Sequence, residues 1–201
     1  MSGLFVSFEG VDRAGKTTQL RILAERLGEK HEVVVTREPG GTPVAEAIRV
    51  LLLADDIEMS ARCEALLFAA ARADHVEQTI RPALERGAIV LTDRFLDSSL
   101  AYQGVARGLG VEQIESFNMW ATEGLLPDVT VMLDLPIGTS ALREGSSDRM
   151  ENEGQLFQAR VRRGLLDLAH RNPKRHAVID ASSSIEDVAE HVWAAIPEQW
   201  R

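Results

Sequence analysis

Residues 10 to 17 read Gly-Val-Asp-Arg-Ala-Gly-Lys-Thr. Two glycines five apart, then a lysine and a threonine, are residue types that can wrap and charge-balance a phosphate chain. The glycines let the backbone approach an anion with its N–H groups pointing inward. Lys16 can bridge the β- and γ-phosphates of a nucleoside triphosphate, and the Thr17 hydroxyl can ligate Mg²⁺. The context fits: Leu4 to Glu9 is a short apolar run that reads as a buried strand. From Lys16 the apolar residues Leu20, Leu23, Ala24 and Leu27 recur at helical spacing, with Gly28 as a stop. The helix that follows turns its positive end toward the same anion.

The rest of the chain supplies elements to carry such a loop. Further strands are expected at 32–36, 88–92, 129–135 and 176–180, and helices at 42–53, 60–86 with a kink or break at Pro82, 111–123, 155–170 and 185–195. Strands that are apolar throughout and alternate with helices predict a parallel sheet covered on both faces. The expected fold is α/β, a P-loop nucleotide-binding fold with five parallel strands, in one domain spanning 1–201. The polar stretch 138–152 is expected to form a short lid.

Composition narrows the partners. The formal net charge is −9, which argues against a nucleic-acid polymer, since such proteins need a basic face. A small anionic ligand needs only a few converging cations. No segment is apolar enough to cross a membrane, and the first residues lack a signal-peptide pattern. Cys63 is the only cysteine, so no internal disulfide forms, which fits a reducing cytoplasm. Its apolar helical setting suggests a core or boundary position.

Three more stretches are distinctive: Thr36-Arg37-Glu38-Pro39-Gly40-Gly41-Thr42, Leu67-Phe68-Ala69-Ala70-Ala71-Arg72, and Asp93-Arg94-Phe95 leading into Asp97-Ser98-Ser99-Leu100-Ala101-Tyr102-Gln103-Gly104. The first and third sit at carboxyl ends of expected strands, where α/β sheets bind ligands. Read without relatives, Phe68 fits core packing, and Arg49 and Arg72 fit a solvated helix face. Arg37 to Gly41 fits an ordinary turn.

Together with Phe8-Glu9-Gly10, these stretches resemble the thymidylate kinase family from Phe5 to Val192. That resemblance implies transfer of the γ-phosphoryl group of ATP, with Mg²⁺, to dTMP. Gly10, Val11, Asp12, Arg13, Ala14, Gly15, Lys16, Thr17, Thr18 and Arg143 would then bind ATP, and Thr17 and Asp93 the metal. Arg94 and Arg49 would hold the acceptor phosphate. Asp12 and Glu38 would lie near the acceptor sugar and metal, with Pro39 beside them. Phe68 would stack on the base, Arg72 donate to its edge, and Ser99 and Gln103 complete the base pocket. Tyr102 would lie where a 2′-hydroxyl projects. The transition state would be served by Lys16, Arg94 and Arg13, with Arg149 or Arg143 of the lid assisting. Asp180-Ala181-Ser182 would run past the adenine.

The family is typically homodimeric, and the helices around 60–71 and 111–123 could supply that interface. Two other readings compete: a kinase for a different nucleotide, and an ATP-binding switch without an acceptor. The second leaves Arg94, Arg72 and Phe68 without work.

Overall fold

The computed structural model describes residues 3–140 and 154–201. Arg143, Arg149 and most of the expected lid lie outside them. Five strands, β1 (Leu4–Glu9), β2 (Val33–Arg37), β3 (Ile89–Asp93), β4 (Val129–Asp134) and β5 (His176–Asp180), form one parallel sheet in the order β2-β3-β1-β4-β5. All six residues of β1 are buried. Alternate side chains go to opposite faces, as the strand period requires. Leu4, Val6 and Phe8 join one core cluster with Leu20, Leu23, Val188 and Val192; Phe5 joins another with Ala65, Ile80 and Ile114.

The helices cover both faces. They are α1 (Lys16–Gly28), α2 (Pro43–Leu53), α3 (Ala61–His75), α4 (Arg81–Glu85), α5 (Leu96–Ser99), α6 (Val111–Ala121), α7 (Ile137–Ser140), α8 (Gln155–Arg171) and α9 (Ile185–Ala195). Thr42, Ser60 and Ser184 cap α2, α3 and α9 by accepting a backbone N–H three residues on, the usual remedy for unpaired donors at helix starts.

The expected helix over 60–86 is continuous but changes register. Residues Val76–Ile80 form a π-helical turn, and Arg81 N–H donates back to the Val76 carbonyl. Pro82 follows directly, with no N–H to give. A second π-helical stretch, Leu100–Ala106, continues α5, so the third motif is helical from 96 to 106. Its motif residues are folded inward: Ser98, Ser99, Tyr102 and Gln103 are all buried.

The chain leaves β1 toward β2 on one side and leaves β3 toward β4 on the other. The crevice between the carboxyl ends of β1 and β3 is thus a topological switch point, where such sheets bind ligands. Gly10 and Asp93–Arg94 sit there.

Candidate active site

Gly10, Arg13 and Gly15 all have positive φ (146°, 64° and 97°). A Cβ on Gly10 would lie 2.5 Å from the Leu133 carbonyl oxygen, so only glycine fits. Gly15 precedes α1, and no side chain caps that helix; its first N–H groups face the loop. Lys16 is buried and folds back, its Nζ donating to the carbonyls of Val11 (3.0 Å) and Gly10 (3.3 Å). Burial, then the nearby Arg94 charge, lower its pKa.

Thr17 Oγ1 donates to Asp93 Oδ2 at 2.7 Å. Two hard oxygen donors beside a phosphate loop suit Mg²⁺, which takes few protein ligands and completes its shell with water and substrate phosphate. Among the described residues there is no cluster of three acidic, histidine or cysteine side chains that could hold a metal alone.

Arg13, Ala14, Gly15, Lys16, Thr17 and Thr18 line one cleft, closed on the far side by Ala181, Ser183, Ile185 and Val188. Of the three residues expected near adenine, only Ala181 lines it. Asp180 and Ser182 bond to each other through the Ser182 N–H and hydroxyl.

Asp12, one residue before Arg13, faces a different pocket. That pocket is lined by every residue expected to hold the acceptor: Glu38, Pro39, Arg49, Phe68, Arg72, Arg94, Ser99, Tyr102 and Gln103. Phe95, Ser98 and Leu53 line it too. Phe68 is only half-buried and belongs to neither core cluster. The structure thus corrects the core-packing reading of Phe68.

Arg72 corrects the solvated-face reading more sharply, being 1 % exposed. Nε donates to Glu38 Oε2 at 2.7 Å, Nη1 to Ser99 Oγ at 3.1 Å and to Asn118 Oδ1, and Nη2 to the Phe95 carbonyl at 3.1 Å. Four of its five N–H donors are held by protein. Glu38 in turn accepts from His75 Nδ1 at 3.1 Å, and His75 Nε2 meets Thr36 Oγ1 at 2.7 Å. A Cβ at Gly41 would fall 2.5 Å from His75 Nε2, which gives the Gly40-Gly41 pair a packing reason. The Glu38–Pro39 peptide is cis, and the Pro39 carbonyl accepts from Arg49 Nη1 at 2.7 Å.

Arg94, a non-glycine residue at φ 70°, is aimed by three partners. Nη1 donates to the Gly10 carbonyl and Ser98 Oγ, each at 3.1 Å, and Nη2 to Asp12 Oδ1. Asp12 Oδ2 accepts from Gln158 Nε2 at 3.1 Å and the Tyr102 hydroxyl at 3.3 Å. Burial pushes the Asp12 carboxyl up, but Arg94 and then Lys16 outweigh it and hold its pKa below the ordinary range. Burial pushes the Tyr102 phenol up and keeps it protonated.

Glu9 lies beneath Arg94, fully buried. It accepts from the Phe95 N–H (2.8 Å) and the Ser98 hydroxyl (2.5 Å). A hydroxyl has one proton, so Ser98 must accept from Arg94 while donating to Glu9. Burial, then repulsion from Asp97, raise the Glu9 pKa to about 7. Glu9, Ser98, His75, Asn118 and Gln158 were not singled out from sequence. Glu9 and Ser98 stood inside motifs already read; the other three carry no local signal.

Two clefts on opposite sides of one phosphate loop define a P-loop phosphotransferase architecture. A family model described as thymidylate kinase matches residues 8–192. A thymidylate kinase of Bifidobacterium longum strain DJO10A is 57 % identical over 98 % of this chain and 96 % of its own length. One of Pseudomonas putida strain GB-1 is 50 % identical over 98 % and 96 %. The crystal structure of thymidylate kinase from Ehrlichia chaffeensis superposes with a TM-score of 0.80 at 36 % identity, covering 96 % of this chain and 98 % of that one. The chain belongs to the thymidylate kinase family.

Proposed function

We propose that this enzyme transfers the γ-phosphoryl group of MgATP to dTMP, giving dTDP and ADP, as a cytoplasmic homodimer. The observation that carries the reading is the shared wall: Asp12 lines the acceptor pocket and its neighbour Arg13 lines the donor cleft. A nucleotide switch needs one site; a phosphotransferase needs two that meet. The exposed Leu66 and Trp120 on α3 and α6 support the dimer part of the reading.

The nucleophile is a phosphate oxygen of the acceptor, largely ionised at neutral pH because its second pKa is about 6. No general base is needed, and the work is positioning and charge stabilisation. Lys16 would exchange the Gly10 and Val11 carbonyls for phosphate oxygens. Thr17 and Asp93 would hold Mg²⁺, which supplies positive charge on the transferring group. Arg94, steadied by Asp12 and Ser98, would take the acceptor phosphate with Arg49. Arg13, with the lid arginines Arg143 and Arg149, would meet charge as it develops. In the base pocket, the remaining Arg72 N–H suits a carbonyl at the base edge, and Phe68 offers a stacking face.

The test is an ADP-release assay over a panel of acceptors. kcat/KM should fall from dTMP to dUMP by the factor one buried methyl allows, about 1–3 kcal/mol. It should fall much further to dCMP, by as much as ~10⁴-fold where buried donors face each other, and purine monophosphates should be poor by size. Turnover of dCMP or AMP at the rate of dTMP would remove the assignment and leave a kinase for another acceptor.

A further inference from the structure

Glu64 lies on α3, outside the pocket lining, and is 1 % exposed. Its Oε1 accepts from Gln103 Nε2 at 3.0 Å and from Arg107 Nε at 3.2 Å; its Oε2 accepts from Arg107 Nη2 at 3.0 Å. Gln103 is also 1 % exposed and lines the acceptor pocket. An ionised carboxylate only accepts, and an arginine only donates. The amide nitrogen of Gln103 must therefore face Glu64, which turns its Oε1 away from Glu64, and Gln103 itself lines the pocket.

From this geometry we propose that Glu64 is a specificity-determining positioning residue. It never touches the acceptor, but fixes the Gln103 amide with the oxygen presented, so the pocket asks for a base edge that carries an N–H. Thymine and uracil carry one at N3; cytosine has a bare acceptor there. The proposal rests on the dTMP reading given above.

In Glu64→Gln the amide oxygen at the Oε1 position accepts from Gln103 Nε2 and Arg107 Nε together, so the Gln103 amide keeps its orientation and only the Arg107 Nη2 bond is lost. Glu64→Met, close in volume, removes the acceptor altogether and frees the Gln103 amide to turn. A turned amide presents its NH₂ to the pocket, which repels N3–H and suits the bare N3 of cytosine. Arg72 is unchanged and still disfavours the cytosine amino group, so discrimination narrows without inverting.

The experiment measures kcat/KM for dTMP, dUMP and dCMP with wild type, Glu64→Met and Glu64→Gln, after thermal melts establish that each variant is folded. For Glu64→Met the dTMP/dCMP ratio should narrow by roughly tenfold to a hundredfold, the range for one buried hydrogen bond made or left unmade. The dTMP/dUMP ratio should stay fixed, because both bases carry N3–H. Glu64→Gln keeps an acceptor at the Oε1 position and should keep the wild-type dTMP/dCMP ratio. A merely structural glutamate would lower all three acceptors by one factor, and that result overturns the proposal.

Where Glu64→Met does not fold, the wild type decides by NMR. The Gln103 side-chain amide protons, assigned by their loss in Gln103→Leu, should exchange slowly and persist at dTMP saturation. Exchange at solvent rate would overturn the proposal. A wild type without dTMP preference over dCMP would instead overturn the dTMP reading itself.

Discussion

The donor cleft and the acceptor pocket meet at Asp12 and Arg13 but hold their ligands by different means. The donor cleft is built largely from contiguous main chain, residues 13 to 18, with one lysine parked on loop carbonyls. The acceptor pocket is built from side chains of α2, α3, α5 and the π-helical stretch after it, bonded to one another before any ligand arrives. A phosphate is the same anion in every nucleotide, so backbone N–H groups and a dipole suffice. A base is told from another base by a few donors and acceptors, and those must be fixed in advance. The difference predicts that acceptor-pocket residues are also structural residues, whereas donor-cleft residues are kinetic specialists.

Arg72 gives the largest expected effect. Arg72→Ala takes from buried Glu38 its guanidinium partner, leaving it the His75 bond, and strips Asn118, Ser99 and the Phe95 carbonyl of a donor. Breaking a buried pair in this way costs about 3–5 kcal/mol of stability, readable as a lower denaturant midpoint. Activity toward dTMP falls as well. A variant as stable as wild type would break the claim that the pocket network helps hold the fold.

Lys16 is the counterpart. Lys16→Ala should cut kcat roughly a hundredfold or more, the scale for losing a key electrostatic donor. It should not lower Tm, because the lost group is a buried cation whose pKa is already depressed by its surroundings and whose partners are two loop carbonyls. A matching fall in Tm would erase the distinction between the two sites.

The same contrast explains what could be read from the chain. Gly10, Gly15, Lys16 and Thr17 are contiguous, and the strand and helix flanking them carry clear periodicity, so the donor cleft was legible from residue types alone. The sheet was legible for the same reason: its strands are apolar throughout, and their boundaries fell within a residue or so of 33–37, 89–93 and 129–134. Arg72 was not, because its burial depends on Glu38, Phe95, Ser99 and Asn118, which lie 23 to 46 residues away. Only the family resemblance pointed to it. Cys63 went the other way: expected in the core or at its boundary, it is exposed, since α3 turns Glu64, Ala65 and Ala69 inward instead. The helix over 96–106 escaped periodicity because it winds as a π-turn stretch in which nearly every side chain is buried.

Glu9 offers the smallest and most specific test, since it sits where the two sites join. Its folded pKa is about 7 against an ordinary value of 4.5. Between those values the folded state binds more protons than the unfolded state, so stability falls as pH rises through that window. In the other direction, lowering the pH from 7 to 5 should stabilise the protein by about 2 kcal/mol from this group alone, each unit of difference being worth about 1.4 kcal/mol. Asp12 and Asp97 have depressed pKa values and act oppositely. Their contribution is present above the ordinary aspartate value and is lost only as pH falls through their lower folded values. The expected curve therefore rises on acidification down to the ordinary glutamate value of 4.5 and falls only below the ordinary aspartate value of 3.8. Glu9→Gln cannot titrate and should flatten the rise while keeping the acid collapse, as followed by denaturant midpoints at half-unit pH steps. Its effect on kinetics separates the sites. Glu9 reaches the acceptor side through Ser98 and Arg94, so KM for dTMP should climb while KM for ATP holds. A rise confined to KM for ATP would place Glu9 with the donor cleft and undo the division drawn between the two regions.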